Sequence, residues 1–220
     1  MKDKSYLKRI AVCVISLAMY GFGNFLGVKA GSAGTNAWST LALGIADMFG
    51  TSYGTGTLMI SVVIIVIDII GKGKIGIGSV LNALLVPFFA EVFLTLTQTI
   101  PNATNPVLGA LLSLAGQIAI SFATIFYMLP ALGAGPRDTL MLIVGNKLPR
   151  FPIGIVKFAV EAVVLIVGVL LGAPFGLGTV LVIVLQASIF QMACRIMKYE
   201  PRSVVHEDLL DTFRCLFRKA

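Results

Sequence analysis

The sequence has few charged side chains. Only 12% of its 220 residues are Asp, Glu, Lys or Arg, whereas soluble domains carry about 25%. Hydrophobic residues make up 57% of the chain, and the mean hydropathy is +0.96. This composition excludes an ordinary soluble domain and predicts an integral membrane protein, with the lipid bilayer as its main partner. We expect a single transmembrane bundle over residues 1–200.

Metal-binding and redox side chains are also scarce. His206 is the single histidine, and the three cysteines, Cys13, Cys194 and Cys215, lack the spacing of a metal site. The chain contains no phosphate loop, haem motif or hydrolase signature. We therefore expect free thiols, no metal, no cofactor and no enzymatic activity. The net charge of +7 does not indicate nucleic-acid binding, because the basic residues lie at the ends of apolar segments.

A short glycine-containing motif is present in two copies. The first copy is Gly34–Leu41 (GTNAWSTL) and the second is Gly133–Leu140 (GAGPRDTL), and each follows a long apolar segment. The correspondence continues downstream, where Gly76 matches Gly176. Self-similarity at this spacing, about 100 residues, indicates a duplicated half rather than a solenoid. Repeat one would cover about residues 8–100, and repeat two about residues 105–199.

Six apolar segments are long enough to cross the hydrocarbon core of a bilayer as helices. Helices are the expected form, because backbone hydrogen bonds cannot be left open in lipid. The predicted spans are Ile10–Gly27, Gly54–Ile70, Ile75–Leu96, Val107–Leu129, Ile153–Leu171 and Leu177–Met197. The sequence therefore predicts an all-α membrane protein with three spans in each repeat.

The basic residues indicate how the chain is oriented. If both termini are cytoplasmic, 15 of the 17 lysines and arginines lie on the inner side, Lys29 faces outward, and Lys157 lies within span five. This distribution agrees with the positive-inside rule. Because three is an odd number, the two repeats must then cross the membrane in opposite senses. Inverted repeats of this kind are a common plan of transporters, whose solute site lies near the midplane.

A weakly apolar segment follows the first span of each repeat. These segments, Trp38–Phe49 and Arg137–Leu148, are too short to cross the bilayer as helices. Each is expected either to dip into the membrane as a half-helix or to lie flat at the interface. Residues 201–220 predict a separate cytoplasmic tail with an amphipathic helix, which would lie on the inner membrane surface or bind a partner protein.

Ionisable and amide side chains within the spans are candidates for a substrate-binding site, because they are costly in lipid. Glu161 lies near the middle of span five, and Lys157 is one helical turn earlier. The alternative for these two residues is an ion pair that neutralises itself. Glu91 in span three corresponds in the repeat to Gln191 in span six. The alternative for Glu91 is a carboxyl group that only joins helices.

The repeated motifs supply a second set of candidate substrate-binding residues. Asn36 and Ser39 lie in the first copy, and Arg137 and Asp138 lie in the second. A half-helix that starts within the membrane would offer backbone N–H donors to an anion beside these side chains. The alternatives are that Trp38 is an interfacial anchor and that Arg137 and Asp138 form a loop ion pair.

Four stretches carry a resemblance to the YczE/YyaS/YitT group of bacterial membrane proteins, above all to its YczE branch. They are Gly31–Gly44, Gly76–Asn82, Gly133–Leu140 and Gly176–Leu181, and the likeness covers about residues 8–198. The first motif of that group usually reads Gly-x-x-Pro-Trp-Asp. Ala37 and Ser39 replace its Pro and Asp here, so a role for an acidic residue at position 39 does not carry over. The resemblance implies a bacterial cytoplasmic membrane and supplies no substrate.

Two functions are compatible with these features. The first is a transporter or channel for a small solute that the sequence does not identify, with its site between inverted repeats. The second is a non-transporting regulatory partner of another membrane protein, acting through cytoplasmic loops and the tail. Either protein could form homo-oligomers.

Overall fold

A computed structural model describes residues 2–151 and 153–199, with side chains over 6–151 and 155–199. Its regular elements are helices, apart from one isolated bridge between Gly34 and Phe175. The predicted tail helix at 201–220 lies outside the described residues. The expected all-α class is confirmed for the part of the chain that is described.

Eight α-helices follow one another along the described chain. Six are long, and two, α2 and α6, are the weakly apolar segments. The bounds are α1 Lys2–Lys29, α2 Ala37–Phe49, α3 Tyr53–Ile70, α4 Ile77–Leu96, α5 Pro106–Met128, α6 Pro136–Lys147, α7 Ile153–Leu170 and α8 Leu177–Met197. A 3₁₀ turn, Gly31–Ala33, precedes α2. The long helices correspond to the six predicted spans. Helix α1 begins well before Ile10 and also includes the charged residues that precede the predicted span.

Five of the described helices are long and apolar enough to cross a membrane. They are α1 over Tyr6–Lys29, α3, α4, α5 and α8. The protein is therefore a multi-pass membrane protein. Helix α7 corresponds to the fifth predicted span, Ile153–Leu171, and its crossing of the bilayer stays a prediction.

Helices α1 and α5 form the centre of the bundle. A Cβ atom added to Gly116 of α5 would lie 2.5 Å from the carbonyl oxygen of Gly23 in α1, and one added to Gly23 would lie 2.7 Å from that of Gly116. The two backbones are thus in direct contact, as small residues allow in membranes. Around this pair, α1 packs on α4 and α5 packs on α8, while α2 lies against α7 and α6 against α3.

The first glycine motif docks on the start of α8. Gly34 has a left-handed backbone, with φ of 77°, and bridges to Phe175 just before that helix. Its carbonyl oxygen accepts a hydrogen bond of 2.5 Å from Ser113 Oγ of α5. An added Cβ on Gly176 would lie 2.6 Å from the carbonyl oxygen of Ser32, so the loop and the helix start touch through backbone.

The second glycine motif docks in the same way on the start of α4. The backbone N–H of Gly78 donates to the carbonyl oxygen of Leu132 at 2.7 Å. Ser79 Oγ donates to the carbonyl oxygen of Ala134 at 2.5 Å. Each loop therefore satisfies carbonyl groups inside the bundle, where lipid would leave them without partners.

Lys29, the basic residue predicted to face outward, closes the connection between α4 and α5. Its Nζ donates to the carbonyl oxygens of Thr97 at 3.0 Å and Ile100 at 2.5 Å. Its own carbonyl accepts from the N–H of Ala103 at 2.8 Å. The end of a helix leaves carbonyls unpaired and favours a cation, which accounts for a buried lysine at this place.

The contact between α1 and α5 predicts that Gly116→Ala destabilises the protein by about 1–3 kcal/mol, because the added methyl group meets backbone that cannot rotate away. Circular dichroism of the purified protein on heating measures the change. Leu111→Ala is the control, since Leu111 lies on the same helix with 59% of its surface exposed. Equal stability of the wild type and Gly116→Ala would contradict the close contact.

Candidate functional site

A cavity of about 410 Å³ lies among α1, α2, α5, α6, α7 and α8. Gln117 of α5, Glu161 of α7 and Gln186 of α8 line it, and each is near the middle of its helix. This cavity, called here the central cavity, reaches from the middle of the bundle to Met128, the last residue of α5. Its lining comprises Tyr20, Asn36, Ala37, Trp38, Gln117, Ile120, Ser121, Thr124, Met128, Ala134, Arg137, Asp138, Met141, Leu142, Lys157, Glu161, Gln186 and Phe190.

The start of α2 forms one wall of the central cavity. Asn36 caps the helix, with its Oδ1 accepting a hydrogen bond of 2.9 Å from the N–H of Ser39. Asn36 and Trp38 line the cavity, whereas Ser39 is buried behind it. Ser39 Oγ lies 2.9 Å from the hydroxyl of Tyr53 on α3. Of the first motif's two candidates, Asn36 is therefore at the cavity and Ser39 fixes α2 to its neighbour.

The start of α6 forms the opposite wall, and Tyr127 of α5 holds it in place. The Tyr127 side chain is fully buried. Its hydroxyl accepts a 3.1 Å hydrogen bond from the N–H of Gly135 and donates to a carboxylate oxygen of Asp138. Arg137, which lies between Gly135 and Asp138 in the sequence, reaches across the cavity and stacks on Trp38. Its guanidinium carbon is 5.1 Å from the ring centroid. The predicted loop ion pair of Arg137 with Asp138 is therefore replaced by these contacts.

The second pair of charged residues comes from α7. Glu161 accepts a hydrogen bond from Nε2 of Gln186 on α8. Lys157 lies over the ring of Phe190, with Nζ 5.4 Å from its centroid. Within the described residues no ion-pair contact joins Lys157 to Glu161, so the contact given above as the alternative for these two residues is not seen. Each side chain instead turns to a neighbour on α8.

Two sequence candidates lie outside the central cavity. Glu91 is on α4 and accepts a 2.8 Å hydrogen bond from the N–H of Gly54, at the start of α3. This is the helix-joining contact given above as its alternative. Gln191 is exposed on α8, one turn beyond the cavity-lining Gln186. Neither residue lines the cavity, and the two are not brought together there.

Several lining residues were missed by sequence reasoning. Gln117, Ser121 and Thr124 form a polar stripe on one face of α5, and their helical spacing within an apolar span was the available signal. Tyr20 and Tyr127 pack edge to face, with ring centroids 6.5 Å apart. Tyr127 lies near the end of its predicted span, where a tyrosine gives little indication of its partner, so the link from Tyr127 to α6 had no sequence signal.

The two contacts of Tyr127 predict that Tyr127→Phe costs about 1–3 kcal/mol, because the Asp138 carboxylate and the Gly135 N–H then lose their partner inside the protein. Thermal unfolding measures the cost. Tyr20→Phe is the matched control: Tyr20 lines the same cavity, and no described residue forms a hydrogen bond with its hydroxyl. Equal losses in the two variants would mean that Tyr127 does not anchor α6.

A family model described as "Family of unknown function (DUF6198)" matches residues 7–195. An uncharacterized protein of Haemophilus influenzae is 29% identical over 194 residues, covering 88% of this chain and 87% of that protein. The uncharacterized membrane protein YczE of Bacillus subtilis is 25% identical over 178 residues, covering 80% and 81%. The uncharacterized protein YyaS of the same organism is 25% identical over 175 residues, covering 78% and 85%.

These matches confirm the resemblance to the YczE and YyaS proteins. No solved structure matches the chain.

Proposed function

We propose that this chain, which belongs to the family of unknown function DUF6198, is a transporter or channel for a small solute in a bacterial cytoplasmic membrane. The observation that carries the proposal is the central cavity, which is lined by residues of both glycine motifs and reaches to the middle of the bundle. Four charged side chains, Arg137, Asp138, Lys157 and Glu161, line this one space. Charges at such a depth are costly in lipid and are retained where they serve a solute pathway.

The proposal takes the two halves of the chain as inverted repeats. Equivalent packing supports this relation, since α1 contacts α4 as α5 contacts α8, and α2 contacts α7 as α6 contacts α3. Left-handed backbone conformations recur at corresponding positions, at Gly34 and Gly133 and again at Lys72 and Gly172. Each glycine loop also docks on a helix start of the other half. A site between such halves is the arrangement found in many transporters.

Helices α2 and α6 are proposed to be half-helices that begin near the midplane. Asn36 and Arg137, at their starts, line the same cavity as Gln117 and Glu161 from the middle of long helices. Their ends lie apart: Gly44 of α2 packs on Leu171 after α7, whereas Ile143 of α6 packs on Gly71 after α3. In the proposed orientation, which follows the positive-inside rule, the end of α6 and both chain termini are cytoplasmic.

No enzymatic step is assigned to the cavity. Its charged groups are engaged by tyrosine, amide and aromatic neighbours. An activated nucleophile would need an adjacent base, and none of the hydroxyls that line the cavity has one within hydrogen-bond reach among the described residues. The alternative of a regulatory partner acting through the tail concerns residues 201–220, outside the described part.

Flux in proteoliposomes tests the proposal. Vesicles containing the wild-type chain are expected to take up at least one solute from a panel of small anions, cations and neutral molecules, measured by stopped-flow light scattering. Arg137→Gln and Glu161→Gln are expected to reduce that flux roughly 10–100-fold, since each removes a charge-assisted contact at the site.

The control variants for the flux measurement remove charges of the same kind at positions away from the cavity. Arg150→Gln and Asp47→Asn alter exposed residues, one after α6 and one near the end of α2, and should leave the flux unchanged. Wild-type vesicles that pass no member of the panel faster than empty vesicles would reject the proposal.

A further inference from the structure

We infer that the solute of the central cavity is a small organic anion with an apolar or aromatic body. This inference rests on the proposed function and adds the class of solute to it. It comes from an asymmetry among the four charged side chains: the carboxylates already have hydrogen-bond donors, whereas the cations face aromatic rings and have no hydrogen-bond acceptor among the described residues.

The carboxylates are engaged within the protein. The hydroxyl of Tyr127 donates to Asp138, and the amide of Gln186 donates to Glu161. Both donors are neutral, so the carboxylates keep a favourable contact without a bound cation. A cationic solute would have to displace or share these internal hydrogen bonds, which weakens its binding.

The two cationic side chains lack such hydrogen-bond partners. Among the described residues, neither Arg137 nor Lys157 forms an ion pair or a hydrogen bond, and each faces a ring, Trp38 in one case and Phe190 in the other. A guanidinium has five N–H donors in a planar fork and an ammonium has three. A carboxylate or sulfonate in the cavity supplies the acceptors that these donors lack, and charge-assisted hydrogen bonds of this kind are among the strong ones in proteins.

The remaining lining suits a body that is not itself charged. Trp38, Phe190 and Tyr20 offer ring surfaces, and Met128, Met141 and Leu142 are apolar. The cavity volume of about 410 Å³ is within the range of sites that hold small organic molecules. An anionic group at one end and an apolar body at the other therefore match the distribution of side chains.

A second cavity, which also favours anions, supplies a route of access to the central cavity. This basic cavity, of about 520 Å³, lies between α6 and the loop from α3 to α4. Lys72, Lys74 and Lys147 line it, and no acidic residue among those that the structure describes does so. Ala134, just before α6, and Leu142 of α6 line both cavities, so the two cavities are adjacent. A cleft lined by charges of one sign raises the local concentration of solutes of the opposite sign.

The sole tryptophan of the chain, Trp38, reports binding directly. The full-length protein in nanodiscs is titrated with benzenesulfonate, benzenesulfonamide and benzyltrimethylammonium, which share a ring and differ in charge, while Trp38 emission is recorded. Benzenesulfonate is expected to give a saturable change with at least tenfold lower Kd than either of the others. Arg137→Gln should raise that Kd roughly 10–100-fold, and Arg137→Lys, which keeps the charge, should recover part of the loss.

Arg150→Gln is the control for a general loss of positive charge and should bind benzenesulfonate as the wild type does. Unchanged melting temperatures show that the Arg137 variants remain folded. Binding of the ammonium or the sulfonamide as tightly as the sulfonate would overturn the inference, as would an absence of binding by all three. Flux of a cation or a neutral solute that depends on Arg137 would overturn it too while leaving the proposed function intact, whereas absence of all flux would reject the proposed function itself.

Discussion

The docking of each glycine loop on the opposite half of the chain is the contact on which the structure depends. Loops within a membrane protein expose carbonyl and N–H groups that lipid cannot satisfy. Ser113 and Ser79 donate to the carbonyls of Gly34 and Ala134, and Gly78 donates to that of Leu132. These bonds let the chain stop, turn and start a new helix inside the bundle.

The chemistry of the central cavity follows from that docking. Because both loops are held inside the bundle, residues at the starts of α2 and α6 line one space, and Arg137 reaches Trp38. Helices α7 and α8 close the space, where Glu161 contacts Gln186 and Lys157 contacts Phe190. Polar side chains from both halves are thus held away from lipid, in a protein-lined cavity where their cost is offset by neighbours.

The sequence predicted the long helices closely, because apolar length and the lack of charge determine which segments cross a membrane. It also identified Asn36, Arg137, Asp138, Lys157 and Glu161, all of which line the cavity. It did not predict that Glu91 and Gln191 lie elsewhere, since hydropathy does not determine how each helix is rotated about its axis. The contacts of Tyr127 with Asp138 and of Gln186 with Glu161 join different helices, and no local pattern specifies such pairs.

The central claim is that the two halves lie in the membrane in opposite orientations around the cavity. Single cysteines placed at two exposed sites test it, with the native Cys13, Cys194 and Cys215 replaced by alanine: Thr104→Cys before α5 and Asn146→Cys at the end of α6. A membrane-impermeant maleimide should label the Thr104→Cys protein in intact cells and the Asn146→Cys protein only in inside-out vesicles. Labelling of both positions from the same side would contradict the inversion and remove the basis of the transport proposal.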